Sequence, residues 1–156
     1  MVTLYREKEN SMKTCETVMT KKPICCLPTD SVVKVAQLMK RENIGSVPVI
    51  ENEQTRKLVG IVTDRDLALK VVGQGSDANS VQVESVMTRK VVTCRPEDDI
   101  QQALDAMSEH QLRRIPIVSD ENKILGIIAQ ADVATRVNRP EKTAEIVKDI
   151  SQTNTK

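Results

Sequence analysis

Residues 60–68 read GIVTDRDLA, and residues 126–134 read GIIAQADVA. Each stretch enters an apolar run through a glycine, the signature of a buried strand with close backbone approach. Each then meets an acid, Asp66 or Asp132, in the first turn of a helix opening at Asp64 or Gln130. Thr63, three residues before Asp66, makes a threonine-x-x-acid capping box. The second copy has Ala129 there and no hydroxyl to cap with. An acid kept without its partner weighs toward a sugar-binding carboxylate over a cap, because an ionised carboxylate can accept from both cis hydroxyls of a ribose.

Working outward, VMTKKPICCLPTDSVVKVAQLMKRENIGSVPVIENE (18–53) lies in register over VMTRKVVTCRPEDDIQQALDAMSEHQLRRIPIVSDE (86–121). Val18, Met19, Thr20, Cys26, Pro28, Asp30, Met39, Pro48, Gly60, Asp66 and Ala68 recur as Val86, Met87, Thr88, Cys94, Pro96, Asp98, Met107, Pro116, Gly126, Asp132 and Ala134. Each copy reads strand, helix, strand, strand, helix. Short strands are expected at 24–27 and 91–94, followed by Asp30 and Asp98 as helix N-caps. The apolar positions Val32, Val35, Ala36 and Met39 follow helical spacing. The first helices then run to about residues 43 and 111. SVPVI and RIPIV are the next strands, and helices at about 64–72 and 130–138 close the copies. A unit of this size has too small a core alone, so the two copies pack about a pseudo-twofold axis as one α/β (α+β) module. The boundaries read as a tail 1–13, a repeat 14–72, a linker 73–84, a repeat 85–138 and a C-terminal helix and tail 139–156.

Composition narrows the function. In 156 residues, 23 basic against 22 acidic side chains leave no basic excess for a nucleic-acid groove. Without Phe or Trp, and with Tyr5 the one tyrosine, there is no stacking platform for single strands. No apolar run reaches the roughly 20 residues of a membrane helix, and the charged start lacks a signal peptide's apolar region, so a cytoplasmic protein is expected. Cys15, Cys25, Cys26 and Cys94 hold no CxxC pair and read as buried reduced thiols. His110, the one histidine, reads as a solvated helix-end residue. Catalysis has no nucleophile and base to start from, so no enzyme is expected.

The doubled set of VMT opening, apolar-Pro-apolar strand and G-h-h-T-x-x-D at Gly60, Thr63 and Asp66 resembles a tandem pair of CBS (cystathionine β-synthase-type) domains, a Bateman module, over about residues 14–137. It is similar to stand-alone bacterial two-repeat proteins, the hypoxic-response type among them. The resemblance implies two pseudo-twofold-related β-α-β-β-α repeats with two clefts for adenosine-bearing ligands such as AMP, ADP, ATP or S-adenosylmethionine. It assigns ribose to Asp66 and Asp132, places Thr63 near phosphate, and sends Arg113 and Arg114 to the phosphate of a ligand held by the other repeat. Gly45 and Ser46 stand where the first copy would carry those arginines. The clefts are therefore expected to be unequal. Thr63 and Asp66, with the arginine pair, take one phosphorylated nucleotide, and the Asp132 cleft stays empty or takes a less anionic ligand.

The function that follows is a non-catalytic sensor with no required cofactor, signalling to a partner protein. The alternative is a structural dimerisation module without a physiological nucleotide. A homodimer is expected from the apolar stripe of Leu67, Ala68, Val71, Val133, Ala134 and Val137. Plainer readings stand beside each residue: a cap for Thr63 and Asp66, solvated charges for Arg113 and Arg114, and simple packing for Met19 and Met87.

Overall fold

The computed structural model describes residues 13–136 and Lys148. The rest of the expected tails, including all but Lys148 of the C-terminal helix, lie outside the described residues. The elements are α1 (Cys15–Val18), β1 (Thr20–Lys21), α2 (Val32–Glu42), β2 (Ser46–Ile50), β3 (Leu58–Thr63), α3 (Asp64–Leu67), α4 (Ile100–Glu109), β4 (Arg114–Val118), β5 (Ile124–Ala129) and α5 (Gln130–Arg136). A π-helical turn, Ala68–Val72, continues α3.

Helix α2 buries Val32, Val35 and Met39 at helical spacing and ends at Asn43, whose left-handed φ of 53° turns the chain out. Gln111, at φ 57°, makes the corresponding turn after α4. The caps sit one residue later than expected. Ser31 accepts from the Lys34 amide at 3.1 Å. Asp99 forms a reciprocal box with Gln102. Asp30 and Asp98 instead fold back to accept the amides of Leu27 (2.8 Å) and Arg95 (2.7 Å), closing the turns around Pro28 and Pro96. The strands expected at 24–27 and 91–94 shrink to single parallel bridges, Cys26 to Val49 and Cys94 to Ile117. The prolines, lacking an N–H, leave only one residue of each run able to pair.

Two sheets form. β2 pairs antiparallel with β3, and β4 with β5. Each sheet is extended by a segment of the other repeat, as a third strand in one and a single bridge in the other. β1 pairs with β5 through Thr20–Ile127 and Lys21–Gly126. Thr88 bridges Ile61 of β3. Cys15, Val18 and Met19 therefore belong to the core of Ile100, Leu104, Met107, Ile115 and Ile128, while Val83, Val86 and Met87 belong to that of Val35, Val47 and Val62. Each opening segment crosses to the sister repeat.

The glycines of the quoted stretches explain how. A Cβ at Gly60 would lie 2.7 Å from Met87 Sδ. At Gly126 it would collide with Met19. What comes close to each strand is a methionine of the exchanged segment.

A third cluster, Ile50, Leu58, Val118 and Ile124, seals the repeats together at the axis. There the hydrogen bonds are reciprocal: Leu58 N–H donates to Asn122 O (2.9 Å), and Ile124 N–H to Arg56 O (3.0 Å). No helix among the described residues is long and apolar enough to cross a membrane.

Candidate functional site

Alternation along β2 and β3 sorts their side chains. Val47 opposite Val62 enters the repeat's own core, so Ser46 opposite Thr63 lies on the other face. Arg114 opposite Ala129 holds the same place in the second repeat.

The half-buried Arg114 side chain reaches back across the module to Gly45. A Cβ there would stand 3.0 Å from Arg114 Nη2 and 3.0 Å from Asp64 Oδ2, so the missing side chain makes room for the guanidinium. Arg114 forms no ion pair and no hydrogen bond among the described residues. Ser46, next to Gly45 in the chain, is only 6% exposed. Its Oγ is a buried side-chain oxygen without a hydrogen-bond partner in the protein. The start of β2 thus carries an unpaired buried hydroxyl one residue from the glycine over which a half-buried unpaired cation lies. Arg113, by contrast, is exposed, and its carbonyl accepts from the Gln130 amide at 2.9 Å.

Asp66 closes the box that the sequence announces. Its Oδ2 accepts from the Thr63 amide and hydroxyl, both at 2.9 Å, and its amide donates back to Thr63 Oγ1 at 3.1 Å. Its other oxygen pairs with Lys70 at 2.9 Å. Lys70 also donates to Val86 O, 2.8 Å away in the crossing segment. Three acceptances occupy a carboxylate with about four lone-pair sites, leaving capacity for one more donor before any partner is displaced.

Asp132 corrects the reasoning from the missing hydroxyl. Its Oδ2 accepts from the Ala129 amide at 3.0 Å, so it performs half of the cap without a threonine. The persistence of an acid at that place does not by itself separate a cap from a sugar ligand.

The thiols are free in all four cases. Cys25 and Cys26 point to different clusters, as neighbours on an extended run must. Desolvation, reinforced by Asp30, pushes the Cys26 thiol up to about 12. In the sequence Gly45 and Ser46 stand only as substitutes for arginines, Asp64 only as a helix start, and Lys70 has no assigned role. The i,i+4 spacing of Asp66 and Lys70 was the available signal for the latter.

Residues 15–73 and 83–139 each match the CBS domain family. The chain belongs to that family. The CBS pair is 34% identical over 143 residues to the CBS domain-containing protein YhcV of Bacillus subtilis, covering 92% of this chain and 99% of that one. Among solved structures, hypoxic response protein I with two coordinated zinc ions has a TM-score of 0.71 at 29% identity, covering 80% and 99% of the two chains. The CBS domain pair of protein MJ0100, in complex with 5-methylthioadenosine and S-adenosyl-L-methionine, has a TM-score of 0.71 at 27% identity, covering 80% and 94%. In the CBS pair described here, no three His, Cys, Asp or Glu side chains gather into a possible metal site among the described residues.

Proposed function

We propose that the CBS pair is a non-catalytic regulatory sensor that binds one phosphorylated adenosine nucleotide of the AMP, ADP or ATP type in the cleft of Thr63, Asp66, Gly45, Ser46 and Arg114. One observation carries this reading: the Arg114 guanidinium lies unpaired over Gly45, and the next residue along the chain, Ser46, has a buried hydroxyl with no partner. A buried donor without a partner is costly, and an anion with several acceptor oxygens satisfies both groups at once. In this reading the one free acceptor position of Asp66 takes a ribose hydroxyl, a second entering only if Lys70 or Thr63 is displaced, and the adenine would lie among aliphatic side chains. MJ0100, a similar CBS pair, binds adenosine derivatives, which supports the ligand class.

In this reading two copies pair through the face of α2 and the α3 helix, and a partner protein senses the altered packing. Val71 and Val133 of the expected stripe are core residues, while Ala68 and Ala134 are exposed and Val137 lies outside the described residues. Leu69 and Val72, at 54% and 76% exposure, take over as the apolar surface. Val72 lines a groove together with Val33, Ala36, Leu67 and Ala78.

A second reading, a dimerisation module with no physiological nucleotide, is favoured by Lys70, because the acid meant for ribose already holds a cation. Calorimetry with adenosine, AMP, ATP and S-adenosylmethionine separates the two. The sensor reading expects one AMP per chain, Arg114→Ala weakening AMP roughly tenfold or more while sparing adenosine, and Asp66→Ala weakening both. No binding by any of the four, or two equal AMP sites, would refute it.

A further inference from the structure

We infer that Cys15 and Cys94 are an oxidation-sensitive dithiol, which a hydroperoxide closes into a disulfide that fastens the amino-terminal crossing segment to the second repeat.

The pairing is built by the backbone. The Cys15 amide donates to Asp98 O at 2.8 Å and the Glu16 amide to Pro96 O at 3.0 Å, while Thr14 bridges Asp99. The start of α1 is thereby laid on the turn that follows Cys94. Cys15 and Cys94 enter one core cluster, where each thiol shifts the titration of the other.

Pseudo-symmetry supplies the control. In the other half, Val83 N–H donates to Asp30 O at 2.9 Å and Glu84 N–H to Pro28 O at 3.0 Å, with Gln82 bridging Ser31. The framework is the same, but a valine shares the cluster of Cys26. Packing at this place is met by valine. A second thiol at position 15 adds chemistry that packing does not require.

The two thiols differ in character. The neighbouring Cys94 and burial push the Cys15 thiol far up, so it keeps its proton. The interaction with Cys15 holds the Cys94 thiol below its ordinary value, against the opposing effect of burial. Cys94 is also the more accessible, at 8% exposure against 0% for Cys15. It is therefore the nucleophile.

Its thiolate attacks one peroxide oxygen and the O–O bond breaks. The sulfur becomes a sulfenic acid, and the other oxygen leaves as hydroxide or, from an organic hydroperoxide, as alkoxide, which takes a proton to become water or an alcohol. Cys15 sulfur then attacks the sulfenic sulfur. The S–O bond breaks, and the leaving hydroxide takes the Cys15 proton as a second water. Two thiols are oxidised by two electrons in all, and one hydroperoxide is reduced. The crossing segment so fastened carries Met19 over Gly126 and Thr20 against Ile127.

The test treats the reduced full-length protein with hydrogen peroxide, alkylates the remaining thiols after unfolding, and maps the peptides by mass spectrometry. The expected product has lost two hydrogens, links Cys15 to Cys94 within one chain, leaves Cys25 and Cys26 alkylated, melts at a higher temperature and reverts with dithiothreitol. Cys15→Val, which copies the Val83 arrangement and so should fold, is expected to give no link and to leave Cys94 as a sulfenic acid trapped by dimedone. A link to Cys25 or Cys26, a link between chains, or Cys15 and Cys94 both alkylated after peroxide treatment would overturn the inference.

Discussion

Ser46→Ala separates stability from binding by sign. The hydroxyl is buried at the start of β2 opposite Thr63, with no partner in the protein. Leaving a buried hydroxyl unpaired costs about 1–3 kcal/mol. Removing one oxygen leaves little cavity, and the weaker strand preference of alanine takes back a few tenths of that gain. The substituted protein should therefore be more stable without ligand by about 1 kcal/mol, or roughly 2–4 °C in melting temperature for a chain of this size. With AMP the order reverses. A hydrogen bond to a charged phosphate contributes about 1.5–3 kcal/mol, so affinity should fall roughly tenfold or more. Melts followed by circular dichroism, with and without AMP, together with calorimetry, measure both quantities on the same samples. If the substitution destabilises the free protein by about 1 kcal/mol or more, the hydroxyl is not unsatisfied; if it leaves AMP affinity unchanged, the hydroxyl is not part of an anion site.

Thr63→Ala gives the first repeat the pattern of the second, removing the hydroxyl that both donates to and accepts from Asp66. The expected loss is about 1 kcal/mol in urea unfolding, with Asp66 still held by the residue-63 amide as Asp132 is held by that of Ala129. Stability should decline between pH 9.0 and about 12, because the unfolded chain releases the Cys26 proton through the first value while the buried thiol holds it to the second. Urea titrations across that range should show a shallower decline for Cys26→Ala. Val72→Glu, at a site 76% exposed, should leave the melting temperature of the isolated module nearly unchanged but halve the mass seen by light scattering if the α2–α3 face joins two copies.

Much of the architecture was legible because the chain states it twice. The paired prolines, glycines and acids fix the register of one repeat against the other, and helical spacing at Val32, Val35 and Met39 locates α2 and its buried face. The caps slipped by one residue because Asp30 and Ser31 are both good capping types. Only the turn geometry, which claims the Asp30 carboxylate for the Leu27 amide, decides between them. Strand exchange left no local mark. Thr20 and Thr88 look alike whether they pair within their own repeat or across, and the choice is made by tertiary packing of Met19 and Met87 over the two glycines. The candidate site was legible at Asp66 and Arg114 as residue types. Which of two adjacent arginines turns inward depends on strand parity, which the Arg114–Ala129 register sets.

That same parity makes the two clefts chemically different. Arg114 points toward Gly45, where the Asp64 carboxylate also lies, whereas its symmetry mate is the short, uncharged Ser46. A phosphate about 5 Å from a carboxylate is repelled by about 3 kcal/mol at an effective dielectric of about 20, and a cation at similar distance offsets that by as much. In the proposed nucleotide site Arg114 supplies that offset, with Lys70 already on Asp66, whereas the residue that matches Arg114 for the Asp132 cleft is Ser46. The Asp132 cleft should therefore disfavour AMP and accept an adenosine derivative without phosphate, neutral or cationic. Competition calorimetry tests this directly: with the Asp66 cleft saturated by AMP, 5-methylthioadenosine or S-adenosylmethionine should still bind, and Asp132→Ala should abolish that second event alone. A second AMP binding as tightly as the first would mean that the serine-for-arginine exchange has no electrostatic effect, and the charge argument would fail.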